Sequence, residues 1–172
     1  MGGTPDIRIL VLFCGGTLVM EEDERGSLLT PALDRAIENL LSMETRLGEL
    51  AGIEVACIDN IDSSNIRPEH WDRVASVIGE NYDDYDGFVV THGTDTMAET
   101  AEALQGLEAK TIVLTGALTP ARFRTTDAIF NVGMAVAAVQ VSPPGVYIAM
   151  SGQVFTAGEV RKNRTENRFE AL

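Results

Sequence analysis

The sequence predicts an α/β domain: a three-layer fold with a mainly parallel sheet covered by helices on both faces. Two observations carry this. Short apolar runs with the look of buried strands alternate with segments of helical spacing, the order that builds parallel sheets. Each strand also runs into glycine, hydroxyl and carboxylate residues, so the polar chemistry gathers along one edge of the sheet, where open α/β folds bind ligands. The length of 172 residues suits one such domain with a real core, and a single domain over residues 1–172 is expected.

The elements follow in order. Ile7 to Phe13 is the first strand. Thr30 and Pro31 give an N-cap and a first helical position. Leu33, Ile37, Leu40 and Leu41 follow at helical spacing. Ile53 to Ile58 is the second strand. Pro68 opens a helix whose Trp71, Val74, Ala75 and Ile78 form one apolar face. Gly87 to Thr91 is the third strand, and Thr96 to Glu99 matches a capping box that starts the next helix. Thr111 to Thr115 is the fourth strand. Ile129, Val132, Val136 and Val139 face inward from a further helix. Gly145 to Met150 is the fifth strand, and Val154 to Thr156 continues it as a short hairpin. There is no internal repeat, low-complexity tract or linker.

Composition narrows the functional classes. A formal net charge of −13 repels polyanions, which argues against nucleic acid as a partner. No apolar run approaches the roughly 18 residues of a membrane span. Ile9 to Phe13 is too short for a signal-peptide core, so a protein outside the membrane, retained in the cytoplasm, is expected. Cys14 and Cys57 lie in or beside strand-like runs and read as reduced thiols. His70 and His92 fall on different elements, and no Cys/His cluster has zinc spacing. Asp83 to Asp86 lacks the later glycine and glutamate of a cation loop and reads as a solvated turn.

Four strand ends carry the chemistry: Cys14-Gly15-Gly16-Thr17, Asp62-Ser63-Ser64, His92-Gly93-Thr94-Asp95 and Thr115-Gly116-Ala117. Glycines before Thr17 let backbone amides approach a ligand closely, or simply make a turn. Thr94 and Asp95 precede a helix N-terminus, which favours anions, or one of them caps it. A threonine nucleophile needs a base. His92 is one candidate, unless it is packed at the strand end. Lys162, oriented by a carboxylate such as Asp95, is the other, giving a hydroxyl–amine–carboxylate relay with Thr94. The closing basic residues Arg161, Lys162, Arg164 and Arg168 read either as a site for a small carboxylate or as a solvated tail.

Taken together these motifs resemble the bacterial-type L-asparaginase family. Gly15-Gly16-Thr17 resembles its first signature, and Thr91-His92-Gly93-Thr94-Asp95-Thr96-Met97 its second. Asp62-Ser63-Ser64 with Pro68-Glu69 looks like the substrate segment of the cytoplasmic type. Glu159-Val160-Arg161-Lys162 falls where the family carries its catalytic lysine. The resemblance runs in order from about Ile7 to Leu172. It implies the flavodoxin-like fold of the family's N-terminal catalytic domain. It also implies hydrolysis of L-asparagine to aspartate and ammonia, without metal or cofactor. In that scheme Thr17 is the nucleophile that forms an acyl-enzyme. Thr94 handles water and the oxyanion, tuned by Asp95 and Lys162. Asp62 and Ser63 hold the α-amino and α-carboxylate groups, and Gly16 and Gly93 lie against the substrate.

The sequence departs from the family in three places. Cys14 stands where the family has threonine. The loop Leu18 to Leu29 has no tyrosine, with Ser27 as the counterpart. The family's smaller C-terminal domain, which completes a neighbour's active site, is expected to be absent. A homo-oligomer, dimer or tetramer, is expected from the resemblance. Two further readings stand beside the asparaginase: a glutaminase or related small-amide amidohydrolase, since one methylene discriminates by only about 1–3 kcal/mol, and a non-catalytic amino-acid-binding module.

Overall fold

A computed structural model describes residues 7–29, 31, 52–107 and 109–172. The helix expected from Leu33 to Leu41 lies outside these residues. Among the described residues the central sheet has six strands: β1 (Arg8–Gly15), β4 (Gly52–Ile61), β5 (Gly87–Thr91), β6 (Thr111–Thr115), β7 (Gly145–Met150) and β8 (Gln153–Thr156). Their order is β4-β1-β5-β6-β7-β8. The first five run parallel, and β8 folds back antiparallel on β7. Among the parallel strands this is the 2-1-3-4-5 order of doubly wound folds, whose switch point lies between the first and third strands, here β1 and β5. Two small hairpins complete the strands: β2 (Glu21–Glu22) with β3 (Leu28–Leu29), and β9 (Val160–Asn163) with β10 (Arg168–Ala171).

The two-residue period of β1 shows why the sheet is covered twice. Leu10, Leu12 and Cys14 enter one core with Val74 and Ile78 of α1 (Pro68–Glu80) and Met97 and Ala101 of α2 (Met97–Ala103). Ile9 and Val11 enter a second core with Ala135, Val136 and Val139 of α3 (Ala128–Val141). Alternate side chains of a strand point to opposite faces. A strand apolar at every position therefore has to be sandwiched.

The helices do not all lie where connection rules alone would put them. The connections β4–α1–β5, β5–α2–β6 and β6–α3–β7 all advance in the same direction across the sheet. Yet α1 and α2 pack on one face and α3 on the other. The last crossover thus has the opposite hand to the two before it, although about 98% of such connections share one hand. Its loop explains how it is held. Asp127 Oδ1 accepts the N–H groups of Leu118 and Thr119, each at 3.0 Å. Asn131 Nδ2 donates to Gly116 O at 3.0 Å and to Asp127 Oδ2 at 2.7 Å. The same loop reaches the end of β1, where the Ala121 N–H donates to Leu18 O at 3.0 Å.

Two local expectations change. Ile129 is 58% exposed and does not face inward. The buried stripe of α3 runs through Ala128, Asn131, Val132, Ala135, Val136, Ala138 and Val139, and Ile129 sits about 100° round the helix from Ala128. The capping box at Thr96 does not form either. Thr96 is the N-cap, but its hydroxyl donates to Ser63 O at 2.8 Å instead of capping α2. Cys14 and Cys57 are both free thiols, as read from the sequence.

Asn131 is 1% exposed and anchors the reversed crossover. Replacing it by leucine strands the Gly116 carbonyl, and an unsatisfied buried group costs about 1–3 kcal/mol. Asn131→Leu should therefore lower the urea midpoint by the equivalent of about 2–3 kcal/mol. An unchanged midpoint would show that the loop is held by something else.

Candidate active site

Backbone contact between glycines brings the strand ends together. Gly16 has φ 94°, and a Cβ placed on it would lie 2.4 Å from Gly93 N. A Cβ on Gly93 would lie 2.4 Å from Ser63 Oγ, and one on Gly116 2.3 Å from His92 O. Only glycine permits such approaches and tolerates positive φ without strain. The loops after β1, β4, β5 and β6 therefore abut at the switch point. Thr17, Asp62, Ser63, Thr94 and Asp95, which the sequence singles out, all lie in these loops at one end of the sheet.

Thr17 opens a single 3₁₀ turn, Thr17–Val19. Its hydroxyl has no hydrogen-bond partner among the described residues. Asp62 caps a second such turn, Ser63–Asn65: its Oδ1 accepts from Ser64 N and from Ser64 Oγ, each at 2.8 Å. Asp62 Oδ2 has no partner among the described residues. Ser63 is buried and stitches two loops, since its Oγ accepts the Asp95 N–H at 3.3 Å and its carbonyl accepts Thr96 Oγ1.

Lys162 arrives from β9, far along the chain. Its Nζ donates to Thr94 Oγ1 at 2.7 Å and to Asp95 Oδ1 at 2.9 Å. The lysine side chain is 14% exposed and the Asp95 side chain 44%. The hydrogen bond from Lys162 is the main reason that the Asp95 carboxyl is held below the usual aspartate range, with Arg164 adding a smaller pull. The hairpin is anchored by Val160 and Phe169 in the core and by the Phe169 N–H, which donates to Ser151 Oγ at 2.9 Å.

The basic cluster splits in two. Arg161 and Arg168 pair with Glu170 at 2.9 and 3.6 Å, while Lys162 and Arg164 face Asp95. It is neither a solvated tail nor one carboxylate site. Arg164 as a second partner of Asp95, at 3.7 Å, was not singled out in the sequence. Arg164 stands in the turn just after β9, so no strand period in the sequence points to it. His92 proves to be packed rather than poised as a base. It is 1% exposed, its Nδ1 donates to Gly93 O at 2.6 Å, its Nε2 meets Thr100 Oγ1 at 3.0 Å, and burial lowers its pKa. Among the described residues no group of His, Cys, Asp and Glu could hold a metal ion, and no helix is long and apolar enough to cross a membrane.

The chain is similar to known proteins over nearly its whole described length. The chain matches the family described as "Asparaginase, N-terminal" over residues 8–171. It is 33% identical to an L-asparaginase of Thermococcus kodakarensis over 159 residues, which cover 91% of this chain and 48% of that protein. It is 30% identical to a glutamyl-tRNA(Gln) amidotransferase subunit of Archaeoglobus fulgidus, over 96% of this chain and 41% of the relative. The crystal structure of L-asparaginase I from Vibrio cholerae superposes with a TM-score of 0.84 at 28% identity, covering 96% of this chain and 51% of that one. The chain thus spans about half the length of the relatives it matches.

The Lys162–Asp95 pair has a consequence for titration. A depressed carboxylate pKa stabilises the fold above the unfolded aspartate value, about 3.9. That contribution is lost as pH falls through the lower folded value. In Lys162→Met the Asp95 carboxyl should titrate closer to the ordinary range, seen by carbon NMR of its side chain. The stability gap between wild type and variant should close at acid pH. An Asp95 titration identical in the two proteins would sever the pair.

Proposed function

Because the chain belongs to the asparaginase family, we propose that it is an amidohydrolase that converts L-asparagine to L-aspartate and ammonia through a threonine nucleophile. The observation that carries this reading is the Lys162–Thr94–Asp95 cluster at the glycine-packed switch point. A binding module has no use for an amine hydrogen-bonded to a buried hydroxyl and oriented by a carboxylate.

Thr17 Oγ attacks the side-chain amide carbon, its proton goes to the departing nitrogen, and ammonia leaves an ester on Thr17. Water then adds to the ester carbon, and aspartate is released as the Thr17 hydroxyl is restored. The Thr17 hydroxyl has no partner among the described residues that would restrain it from this attack. Thr94, held by Lys162, which Asp95 in turn orients, positions the water. Asp62 offers Oδ2, which has no partner among the described residues, to the substrate ammonium, with Oδ1 fixed by Ser64. The absence of tyrosine from the segment 18–29 removes one aromatic hydroxyl that the family places beside the nucleophile.

A second reading, hydrolysis of glutamine or a related small amide, is supported by the likeness to the amidotransferase. Ammonia release from asparagine and glutamine, measured side by side, separates the two. Thr17→Ala should lower turnover of the preferred amide by about 10³-fold or more, as loss of a nucleophile does, and Thr17→Ser should keep a measurable part. Lys162→Met should cost about 10²-fold. Asp62→Ala should act mainly on KM, since one charge-assisted hydrogen bond of about 1.5–3 kcal/mol corresponds to about 10- to 100-fold in affinity. Wild-type rates in Thr17→Ala would refute the nucleophile.

A further inference from the structure

Behind Thr94 lies a hydrogen-bond chain that the scheme above does not use. Trp71 of α1 donates its indole N–H to Thr100 Oγ1 of α2 at 2.9 Å. Thr100 Oγ1 lies 3.0 Å from His92 Nε2, and His92 Nδ1 lies 2.6 Å from Gly93 O. Thr100 and His92 are each 1% exposed.

The chemistry of the atoms gives the chain a direction. A carbonyl oxygen only accepts, so Nδ1 carries the proton. In the neutral ring Nε2 is then an acceptor, and the Thr100 hydroxyl donates to it, keeping its lone pairs for the Trp71 N–H. The order is Trp71 N–H to Thr100 O–H to His92, and Nδ1–H to the Gly93 carbonyl. An imidazolium would oblige Thr100 to accept two N–H groups and would place a charge in a mainly apolar site, walled by Cys14, Ile58 and Val74 with Asp59 and His70 also on its lining. Burial also favours the neutral ring.

The endpoint matters because of peptide geometry. The described residues contain no cis peptide, and in a trans peptide the C=O and N–H point in opposite directions. With the Gly93 carbonyl held toward His92, the Thr94 N–H is directed away from the buried ring. It has no acceptor among the described residues. It belongs to the same residue whose hydroxyl Lys162 holds at 2.7 Å.

We propose that Trp71, Thr100 and His92 are positioning residues that fix the Gly93–Thr94 peptide, so that the Thr94 N–H faces the oxygen of the reacting carbonyl. The proposal rests on the amidohydrolase reading and names three residues that act on it without touching substrate. Preorganised donors of this kind contribute most where charge develops, and outright loss of one costs about 10²–10³ in kcat. Loosening one costs part of that.

The test has two arms. In ¹⁵N NMR of the wild-type chain, His92 should be neutral with its proton on Nδ1, and Thr100→Val, which removes the directing hydroxyl, should release the ring to a mixture of tautomers. In steady-state kinetics on the amide it hydrolyses, Thr100→Val should lower kcat about 10-fold with KM within about 2-fold of wild type. Thr100→Ser, which keeps the hydroxyl, should recover most of the loss. Trp71→Phe, at a half-buried position, serves in the same way where Thr100→Val fails to fold, with a smaller fall in kcat. A wild-type ring protonated on Nε2, or a folded Thr100→Val with unchanged kcat, overturns the proposal. A wild type silent toward both amides sinks the hydrolase reading instead, and the tautomer arm alone then decides whether the chain holds the peptide.

Discussion

Everything at the candidate site depends on one contact, the backbone of Gly16 against the backbone of Gly93. Neighbouring parallel strands lie about 4.8 Å apart, and side chains at their ends ordinarily hold the following loops apart. Here a Cβ on Gly16 would overlap the Gly93 amide at 2.4 Å. The two loops touch without any side chain between them, and Thr17 and Thr94 follow directly on either side. Gly93 in turn has no room beyond Ser63, so the third loop is keyed to the same point. Removing one hydrogen bond would loosen this arrangement, whereas adding one methyl group forces the strand ends apart.

The second requirement is a group that local sequence does not supply. Lys162 reaches Thr94 across 68 positions of chain, and its hairpin is tied down by Phe169 and Val160 in the core. That anchoring sets the position of Nζ. A flexible lysine on a solvated tail would lose its rotamer entropy on pairing and gain little. A lysine on a strand whose alternate residue is buried has much of that cost already met by folding. The Asp95 carboxyl, nearly half exposed, gains its depressed pKa from this placement more than from burial, which acts the other way.

The sheet and its switch point were legible in the sequence because they follow from short-range rules. Short continuous apolar runs, ending near glycine and alternating with segments of helical spacing, left one reading for β1, β5, β6 and β7. The site residues were legible because small polar side chains at strand ends have few structural uses in such number. What stayed hidden depended on tertiary partners. The Thr96 hydroxyl satisfied the local rule for a cap, yet it bonds to Ser63 because that carbonyl comes within 2.8 Å only in the folded chain. Ile129 fitted the apolar period but lay one residue off the stripe that the buried Asn131 defines. The loop of the last crossover is held by Asp127 and Asn131, polar residues that no hydrophobic pattern reveals. The hairpin carrying Lys162 was missed because β9 and β10 are short, charged and paired only with each other.

The unpartnered valences at this end of the sheet share a pattern that bears on function. Asp62 has Oδ1 fixed by Ser64 and Oδ2 without a partner among the described residues. Thr94 has Oγ1 held by Lys162 and its N–H without an acceptor among the described residues. The Gly93 peptide has its carbonyl pinned by His92. Thr17, next to the glycine contact, has a hydroxyl with no partner among the described residues. In Asp62 and Thr94 one atom is tethered to the scaffold, and another has no partner among the described residues. Thr17 and Asp62 are partly exposed, so water can serve their untethered atoms until a ligand displaces it, while each tether costs side-chain freedom. A site built for stability alone would let these groups satisfy one another. Holding them oriented and unsatisfied makes sense where a ligand supplies the missing partners with no further reorganisation, the condition under which electrostatic stabilisation of a reacting group is strongest.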